Sequence, residues 1–239
     1  ATLNELHPRG FRHYVHSLRV VDSLERKGKG LNLTFEVRNG IIRHSKGQGE
    51  ILPDDKAKLA ITLEGQVVRM ADIIAYVNHD MDDALRAGII KDSDLPETIK
   101  KVVGNRHSKR IGAMVRDLIV ETLSADDGNL HASDQMLDAI TNMRAFLFDN
   151  VYRYYQVHKE FEKAQRIITD LYGYLLEHGL VRRIGNSWVA DKTNSKNSWP
   201  NNKTAHRKVC DFIAGMTDRY ALDLYEHIFL PKPWAARSI

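Results

Sequence analysis

Apolar residues recur at steps of three and four along most of this chain, which is the spacing of helices buried on one side. In Phe11 to Arg26, for example, Val15, Leu18, Val21 and Leu24 follow this spacing. A further helix is expected to begin near Pro96, because proline suits the first turn of a helix. The same pattern, bounded by capping or breaking residues, predicts helices over 34–45, 62–87, 109–123, 133–155, 158–178 and 204–229. The sequence therefore predicts an all-α fold, a helical bundle in a single domain.

Signals for strands are weak. Only 50–52 and 181–189 are candidates, and neither alternates apolar and polar residues for long. The segment 186–202, NSWVADKTNSKNSWPNN, is polar and rich in turn-forming residues, so we expect a surface loop there.

The composition is that of a soluble globular protein. Of 239 residues, 43% are hydrophobic and 28% are charged, and no apolar run approaches the length of a membrane helix, which is about 20 residues. Cys210 is the single cysteine, so an internal disulfide and the cysteine-rich zinc motifs are excluded. We expect a reducing, cytoplasmic compartment.

The net charge is +4, with basic and acidic stretches interspersed along the chain. This mild excess is compatible with anionic substrates such as phosphates. Contact with nucleic acid is possible on this basis but is not indicated by any concentrated basic block.

A polar stripe interrupts the otherwise apolar segment MADIIAYVNHDMDDA, residues 70–84. Asp72, Tyr76, His79, Asp80 and Asp83 recur at steps of three and four, so a helix would place them on one face. Two interpretations remain open at this point: a solvated face, or one wall of an active-site cleft.

Three residues of the stripe have chemistry that fits a metal and a sugar. The carboxylate of Asp72 is a hard oxygen ligand for a divalent cation. Tyr76, one turn on, offers a flat ring and a hydroxyl, and Asp80 could accept a hydrogen bond from a sugar hydroxyl. Asp80 lies eight positions after Asp72, which corresponds to about 12 Å along a helix. A metal site would need further ligands from elsewhere.

Three histidines form a second set of candidates. His13 and His16, in GFRHYVHSLR, are three residues apart and can share one face at a helix start. Such a pair can bind a metal or carry out acid–base chemistry, or it can simply face solvent. His44, in IIRHSKG, is expected to be a capping or surface residue.

Four motifs together resemble the bacterial deoxyguanosine triphosphate triphosphohydrolases, which are HD-domain phosphohydrolases. They are GFRHYVHSLRVVD, GLNLTFEVRNGIIRHS, TLEGQVVRMADIIAYVNHDMDDALRAG and DFIAGMTDRYAL, and the resemblance runs from about residue 3 to residue 234. It implies an all-α fold and hydrolysis of a deoxynucleoside triphosphate, such as dGTP, to deoxynucleoside and triphosphate. It also implies a divalent cation such as Mg²⁺ or Mn²⁺, and a homo-oligomer.

The resemblance assigns a role to each candidate. It implies that Asp72 is a metal ligand, that Tyr76 packs against the deoxyribose and crowds the 2′ position, and that Asp80 lies near the 3′-hydroxyl. It implies that His13 is catalytic, assisting a metal-bound water or protonating the leaving oxygen. His16 stands in the same segment, where the family often has Gln or Glu, and is the second catalytic candidate.

The family's other metal ligands, a histidine and a His-Asp pair, precede the segment at which this chain begins. We therefore expect the chain to be the C-terminal portion of such an enzyme, with part of the active site and little or no activity alone. Two alternatives remain: a truncated remnant that binds nucleotide or self-assembles, and an HD phosphohydrolase for another nucleotide.

Overall fold

The computed structural model describes residues 2–45, 49–53, 55–185, 187–191, 199 and 202–231. Helices dominate these residues, and their strands are limited to one two-stranded hairpin, so the predicted all-α class is confirmed. The sequence predicted a single domain, whereas the contacts divide the chain into two compact units. One is His13–His158, the central unit, and the other combines Ala1–Arg12 with Lys159–Ile239, the terminal unit.

The central unit is built from helices and short helical turns. In chain order these are α2 (His13–Arg19), a π-helical turn (Val20–Leu24), α3 (Glu25–Gly28), α4 (Phe35–Arg43), a 3₁₀ turn (Lys56–Lys58), α5 (Leu63–Arg86), a 3₁₀ turn (Asp92–Asp94), α6 (Glu97–Val103), α7 (His107–Ala125), α8 (Asp134–Leu147) and a π-helical turn (Phe148–Tyr152).

Helix α5 is the central helix of this unit and packs against α4, α7 and α8. Thr62 caps its first turn, where the Thr62 hydroxyl accepts a hydrogen bond from the Gly65 amide at 3.2 Å. Ile73, Val77 and Met81 on α5 are almost completely buried. Each such side chain contributes about 1.5–3 kcal/mol of hydrophobic stabilisation. Packing along this apolar side therefore fixes the rotation of α5.

A buried polar pair joins α5 to α7. Arg110 Nε donates to Asn78 Oδ1 at 3.1 Å, and Asn78 Nδ2 donates to the carbonyl of Ile74 at 2.8 Å. Both side chains are inaccessible to solvent, and burial lowers the pKa of Arg110. Because an unmatched polar group in the interior is costly, this pair allows only one register of α7 on α5.

Arg69, buried on α5, binds the last residue of α4 and the chain segment that follows it. Its guanidinium donates to three carbonyl oxygens, those of Arg43 at 3.3 Å, Glu50 at 3.0 Å and Ile51 at 3.3 Å. The prediction of a possible strand over 50–52 is wrong. The carbonyls of Glu50 and Ile51 are satisfied by a side chain instead of a neighbouring strand.

The terminal unit contains α1 (Thr2–Leu6), most of α9 (Tyr155–His178), β1 (Val181–Ile184), β2 (Ser187–Ala190), α10 (Asn202–Ala214) and α11 (Asp218–Phe229). Its core is a separate cluster that includes Leu171, Leu175, Val209 and Leu224, all fully buried. The hairpin is antiparallel, pairing Val181 with Ala190 and Ile184 with Ser187. The candidate strand segment 181–189 therefore does contain strand, but as two short paired strands where the sequence indicated one segment.

Two predictions in the terminal unit need correction. The helix predicted over 204–229 is two helices, because the Thr217 hydroxyl accepts a hydrogen bond from the Tyr220 amide at 3.3 Å and begins α11. The loop predicted over 186–202 is wrong for Ser187–Ala190, which form β2. Residues 186, 192–198, 200 and 201 of that loop lie outside the described residues.

No helix among the described residues is both long enough and apolar enough to cross a membrane.

Gly65 is required where α4 crosses α5. A Cβ at Gly65 would lie 2.6 Å from the Ala60 Cβ and 3.2 Å from the Gly40 Cα, which is closer than side chains pack. We expect Gly65→Ala to lower the free energy of unfolding by about 1–3 kcal/mol, as overpacking does. Urea unfolding followed by circular dichroism measures this.

Gly40→Ala is the matched control, because a Cβ there would meet only the Gly65 Cα, at an ordinary 3.5 Å. Since alanine is the better helix former, we expect this variant to be neutral or stabilised by up to about 1 kcal/mol. Equal destabilisation of the two variants would contradict the close approach at Gly65.

Stability of the terminal unit should depend on the charge of His7. This ring is only 5% exposed, and its Nδ1 accepts a hydrogen bond from the Arg9 amide at 3.2 Å. Burial lowers the pKa of His7 below its usual value of 6.5, and the neighbouring Arg207 lowers it further. The folded state therefore favours the neutral ring.

The unfolded chain takes up a proton near pH 6.5, where the folded chain resists it. Stability should be complete above that pH and should fall as the pH drops below it. All three tryptophans lie in 159–239, so their fluorescence reports this unit. We expect a lower urea midpoint at about pH 5.5 than at about pH 7.5, and a smaller difference in His7→Gln. An undiminished difference in that variant would assign the effect to other groups.

Candidate functional site

Asp72, Tyr76 and Asp80 lie along one face of α5, since successive members are four residues apart. Asp72 is exposed, whereas Tyr76 and Asp80 are half-buried. The ring of Tyr76 also packs against the hydrophobic core of the central unit. The face is thus exposed at the Asp72 end and partly enclosed by protein at the Tyr76 and Asp80 end.

Tyr152 encloses the Asp80 end. Its hydroxyl donates a hydrogen bond to Asp80 Oδ2. Burial raises the pKa of the Tyr152 phenol far above its usual value, and the hydrogen bond to Asp80 adds to the rise. The phenol therefore keeps its proton at neutral pH, and its hydrogen bond orients the Asp80 carboxylate.

Tyr152 ends the π-helical turn Phe148–Tyr152 that follows α8. Such turns insert an extra residue into a helix and are frequent at functional sites. Sequence reasoning missed Tyr152, because it lies 72 residues from Asp80 and no local spacing connects the two. Tyr152 lies within the helix predicted over 133–155, and nothing in that pattern distinguished it from an ordinary helix residue.

Arg144 on α8 is a second residue that the sequence did not indicate. Its Nη1 donates to the carbonyl of Gly49 at 3.4 Å. Its guanidinium also hydrogen-bonds the Tyr76 side chain. Burial raises the pKa of the Tyr76 phenol, and the Arg144 cation opposes this rise. We refer to Asp72, Tyr76, Asp80, Arg144 and Tyr152 as the α5 cluster.

The other two members of the polar stripe are separate from the α5 cluster. His79 and Asp83 are both exposed. The His79 ring lies 5.3 Å from the ring of His107, at the start of α7. The stripe is therefore not uniform: Asp72, His79 and Asp83 are exposed, whereas Tyr76 and Asp80 are half-buried.

The structure pairs His13 with His44. His13 begins α2 and is exposed, and its ring centroid lies 5.5 Å from that of His44, at an interplanar angle of 72°. His16 is half-buried one turn further along. The sequence treated His44 as a capping or surface residue, and it is indeed the residue at the end of α4. That His13 and the α5 cluster line one crevice stays a prediction.

The donor set for a metal is incomplete. Within the described residues, no group of three or more His, Cys, Asp or Glu side chains could hold a metal ion. About three protein ligands are usual at a catalytic metal site. The described residues therefore do not fit a complete metal centre, and Asp72 remains a candidate for one ligand.

The central unit contains a cavity of about 680 Å³. Two of its lining residues, Arg69 and Gly49, connect it to the α5 cluster. Its lining includes the cationic side chains Arg43, Lys58 and Arg69, with Glu50 as a single carboxylate. Arg69 lies one turn before Asp72 on α5. Gly49, also in the lining, accepts the hydrogen bond from Arg144. The side chains that line the cavity are thus predominantly cationic. The cavity is linked to the α5 cluster by the hydrogen bond from Arg144 to Gly49.

Comparison with known proteins places these residues in a family. Residues 130–227, which include Arg144 and Tyr152, match the Phosphohydrolase-associated domain. A relative from Parvibaculum lavamentivorans, a deoxyguanosinetriphosphate triphosphohydrolase-like protein, is 32% identical over 92% of this chain and 67% of its own length. The chain belongs to the deoxyguanosinetriphosphate triphosphohydrolase-like family. The resemblance found in the sequence motifs is thereby confirmed.

Two further members of the family, with higher identity to this chain, carry the same name. The protein from Desulfatibacillum aliphaticivorans is 43% identical over 97% of this chain, which spans 65% of that relative. The protein from Caldanaerobacter subterraneus is 41% identical over 99% of this chain, which spans 63% of that relative. The chain thus spans slightly less than two thirds of these two relatives.

The bond between Tyr152 and Asp80 should contribute measurably to stability. We expect Tyr152→Phe to lower the free energy of unfolding by about 1 kcal/mol, because a half-buried carboxylate loses its donor. Tyr155→Phe is the matched control, since Tyr155 is 75% exposed. Urea unfolding of the two variants measures the difference, and similar values would argue against the bond.

Proposed function

We propose that the complete protein hydrolyses a deoxynucleoside triphosphate, such as dGTP, to deoxynucleoside and inorganic triphosphate. In this proposal the present chain supplies the part of the active site that recognises the sugar. The observation that supports it is the half-buried pair Tyr76 and Asp80, oriented by Arg144 and Tyr152. The relatives are named deoxyguanosinetriphosphate triphosphohydrolase-like proteins, which supports the proposal.

Tyr76 and Asp80 would bind the deoxyribose. The ring of Tyr76 is supported from behind by the core, so it presents a fixed flat surface to the sugar. A ribose would bring its 2′-hydroxyl against that surface, and a deoxyribose would not. The Tyr152 hydroxyl donates to Asp80 Oδ2, so Oδ1 would be the oxygen that accepts a hydrogen bond from the 3′-hydroxyl.

The phosphates would lie toward the N-terminal end of α5. Asp72 lies one turn before Tyr76 on α5, and Arg69 lies about one turn before Asp72. Arg69 lines the cationic cavity together with Arg43 and Lys58. Three cationic residues favour the triphosphate electrostatically. His13 would transfer the proton at the α-phosphate, since imidazole is suited to this role near neutral pH.

The family is generally metal-dependent, and Mg²⁺ or Mn²⁺ is our proposal for this protein. Asp72 would be one ligand, and it is the only one that we assign from this chain. We expect the others, a histidine and a His-Asp pair, in the part of the relatives that this chain does not span. We also propose a cytoplasmic homo-oligomer.

A second candidate function is nucleotide binding without catalysis. The donor set around Asp72, which is incomplete among the residues that the structure describes, supports this candidate. A third candidate is a phosphohydrolase that acts on another nucleotide.

Incubation of the chain with dGTP and Mn²⁺ or Mg²⁺, followed by chromatography, should release little or no triphosphate. A turnover of about 1 per second or faster would show that another metal site exists. Metal content separates the first candidate from the second, and a panel of nucleotide substrates separates the first from the third.

Tyr76→Ala should weaken discrimination against ribose in any form of the protein that hydrolyses dGTP. Loss of the ring opens space at the 2′ position, and we expect the ratio of kcat/KM for dGTP to that for GTP to fall about tenfold or more. Tyr76→Phe keeps the ring and should keep the ratio. An unchanged ratio in Tyr76→Ala, with the metal content retained, would rule out Tyr76 as the sugar gate.

Asp72→Ala should have a different effect from Tyr76→Ala. Removal of a metal ligand should abolish turnover and reduce bound metal together, for both dGTP and GTP. Measurement of metal content by mass spectrometry beside kcat checks this. Full activity in Asp72→Ala would remove Asp72 from the proposed ligand set.

A further inference from the structure

The sequence analysis did not predict the contact between His13 and His44. Their rings meet edge to face, with centroids 5.5 Å apart and an interplanar angle of 72°. This is a favourable arrangement for two aromatic rings. His13 is itself exposed, and its ring makes one other contact of this kind, with its neighbour Tyr14 at 5.5 Å. His44 is therefore the ring that approaches His13 from another helix.

The orientation of the His44 ring is fixed from its own helix. His44 Nδ1 lies 2.6 Å from the carbonyl oxygen of Ile41. Because a carbonyl can only accept, Nδ1 carries the hydrogen and donates it. The bond also satisfies one of the last carbonyls of α4, so it anchors the ring to the helix end.

The helix that carries His44 is in turn fixed against the segment that carries His13. Arg38 on α4 makes a two-point ion pair with Asp22, in the π-helical turn that continues α2. Arg38 Nε lies 2.9 Å from Asp22 Oδ1, and Nη2 lies 2.8 Å from Oδ2. Two-point pairs of this kind define orientation as well as distance. The relative placement of the two histidines is therefore set by packing between α2 and α4.

We propose that His44 is a positioning residue for His13: its ring, anchored to the Ile41 carbonyl, holds the His13 imidazole in one orientation. The inference rests on the proposed function, in which His13 transfers the proton. His44 acts through His13 and does not itself contact the substrate. An exposed imidazole without this contact would sample several rotamers, and only some of them would be aligned with the reacting oxygen.

Two substitutions separate the ring of His44 from its hydrogen bond. His44→Asn keeps an N–H donor near the position of Nδ1 and removes the ring. His44→Phe keeps a ring against His13 and removes the donor. If His44 only caps α4, His44→Asn should resemble the wild type and His44→Phe should be less stable. If His44 positions His13, His44→Asn should be the variant in which His13 changes.

The direct measurement is the NMR spectrum of the histidine ring protons in the 239-residue chain, with the His13 signals assigned through His13→Gln. We expect the His13 ring protons to keep one defined set of nuclear Overhauser contacts in the wild type and in His44→Phe, and to show contacts averaged over several rotamers in His44→Asn, because the ring that holds His13 is lost. Unchanged His13 contacts in a folded His44→Asn variant would overturn the proposal. This measurement needs no turnover, so it is decided separately from the proposed function.

The kinetic measurement uses a form of the protein that hydrolyses dGTP. We expect His44→Asn to lower kcat about tenfold with little change in KM, as misalignment of a catalytic group does. His44→Phe should retain more of kcat than His44→Asn. Equal kcat in His44→Asn and the wild type would overturn the positioning role, even if His13 itself proves essential.

Discussion

The rotation of α5 about its own axis is the constraint on which the rest of the central unit depends. Ile73, Val77 and Met81 are buried against the surrounding helices, and α5 cannot turn without exposing them. Once that apolar side is fixed, every polar residue of the helix has a fixed direction. Tyr76 and Asp80 are therefore placed by hydrophobic packing that neither residue drives.

The same constraint explains why part of this site could be predicted from the sequence and part could not. The helical spacing of α5, its Thr62 cap and the common face of Asp72, Tyr76 and Asp80 are local features, which depend on residues a few positions apart. Arg144 and Tyr152 reach the site from α8 and its π-helical turn. Their contribution depends on tertiary packing and on one irregular turn, and neither leaves a periodic signal.

Local reasoning also failed where side chains replace regular backbone partners. Arg69 supplies the hydrogen bonds that a neighbouring strand would have given to residues 50 and 51. The Thr217 hydroxyl divides what the apolar pattern predicted as one helix. In both cases the apolar pattern led to a wrong prediction, because a polar side chain decides the local backbone and leaves no periodic signal. The segment of the small hairpin was a strand candidate, but the pairing of two strands within it was not predicted.

The buried pair of Arg110 and Asn78 has a consequence for how sequences of this fold can diverge. Loss of Asn78 alone would leave a guanidinium in the interior without that acceptor, and loss of Arg110 alone would leave the amide oxygen of Asn78 without that donor. Each single change is costly, whereas replacing both with apolar side chains of similar volume can be nearly neutral. The two positions should therefore covary, so that an alignment of relatives shows either both polar partners or neither. Anyone redesigning the interface between α5 and α7 should exchange them together.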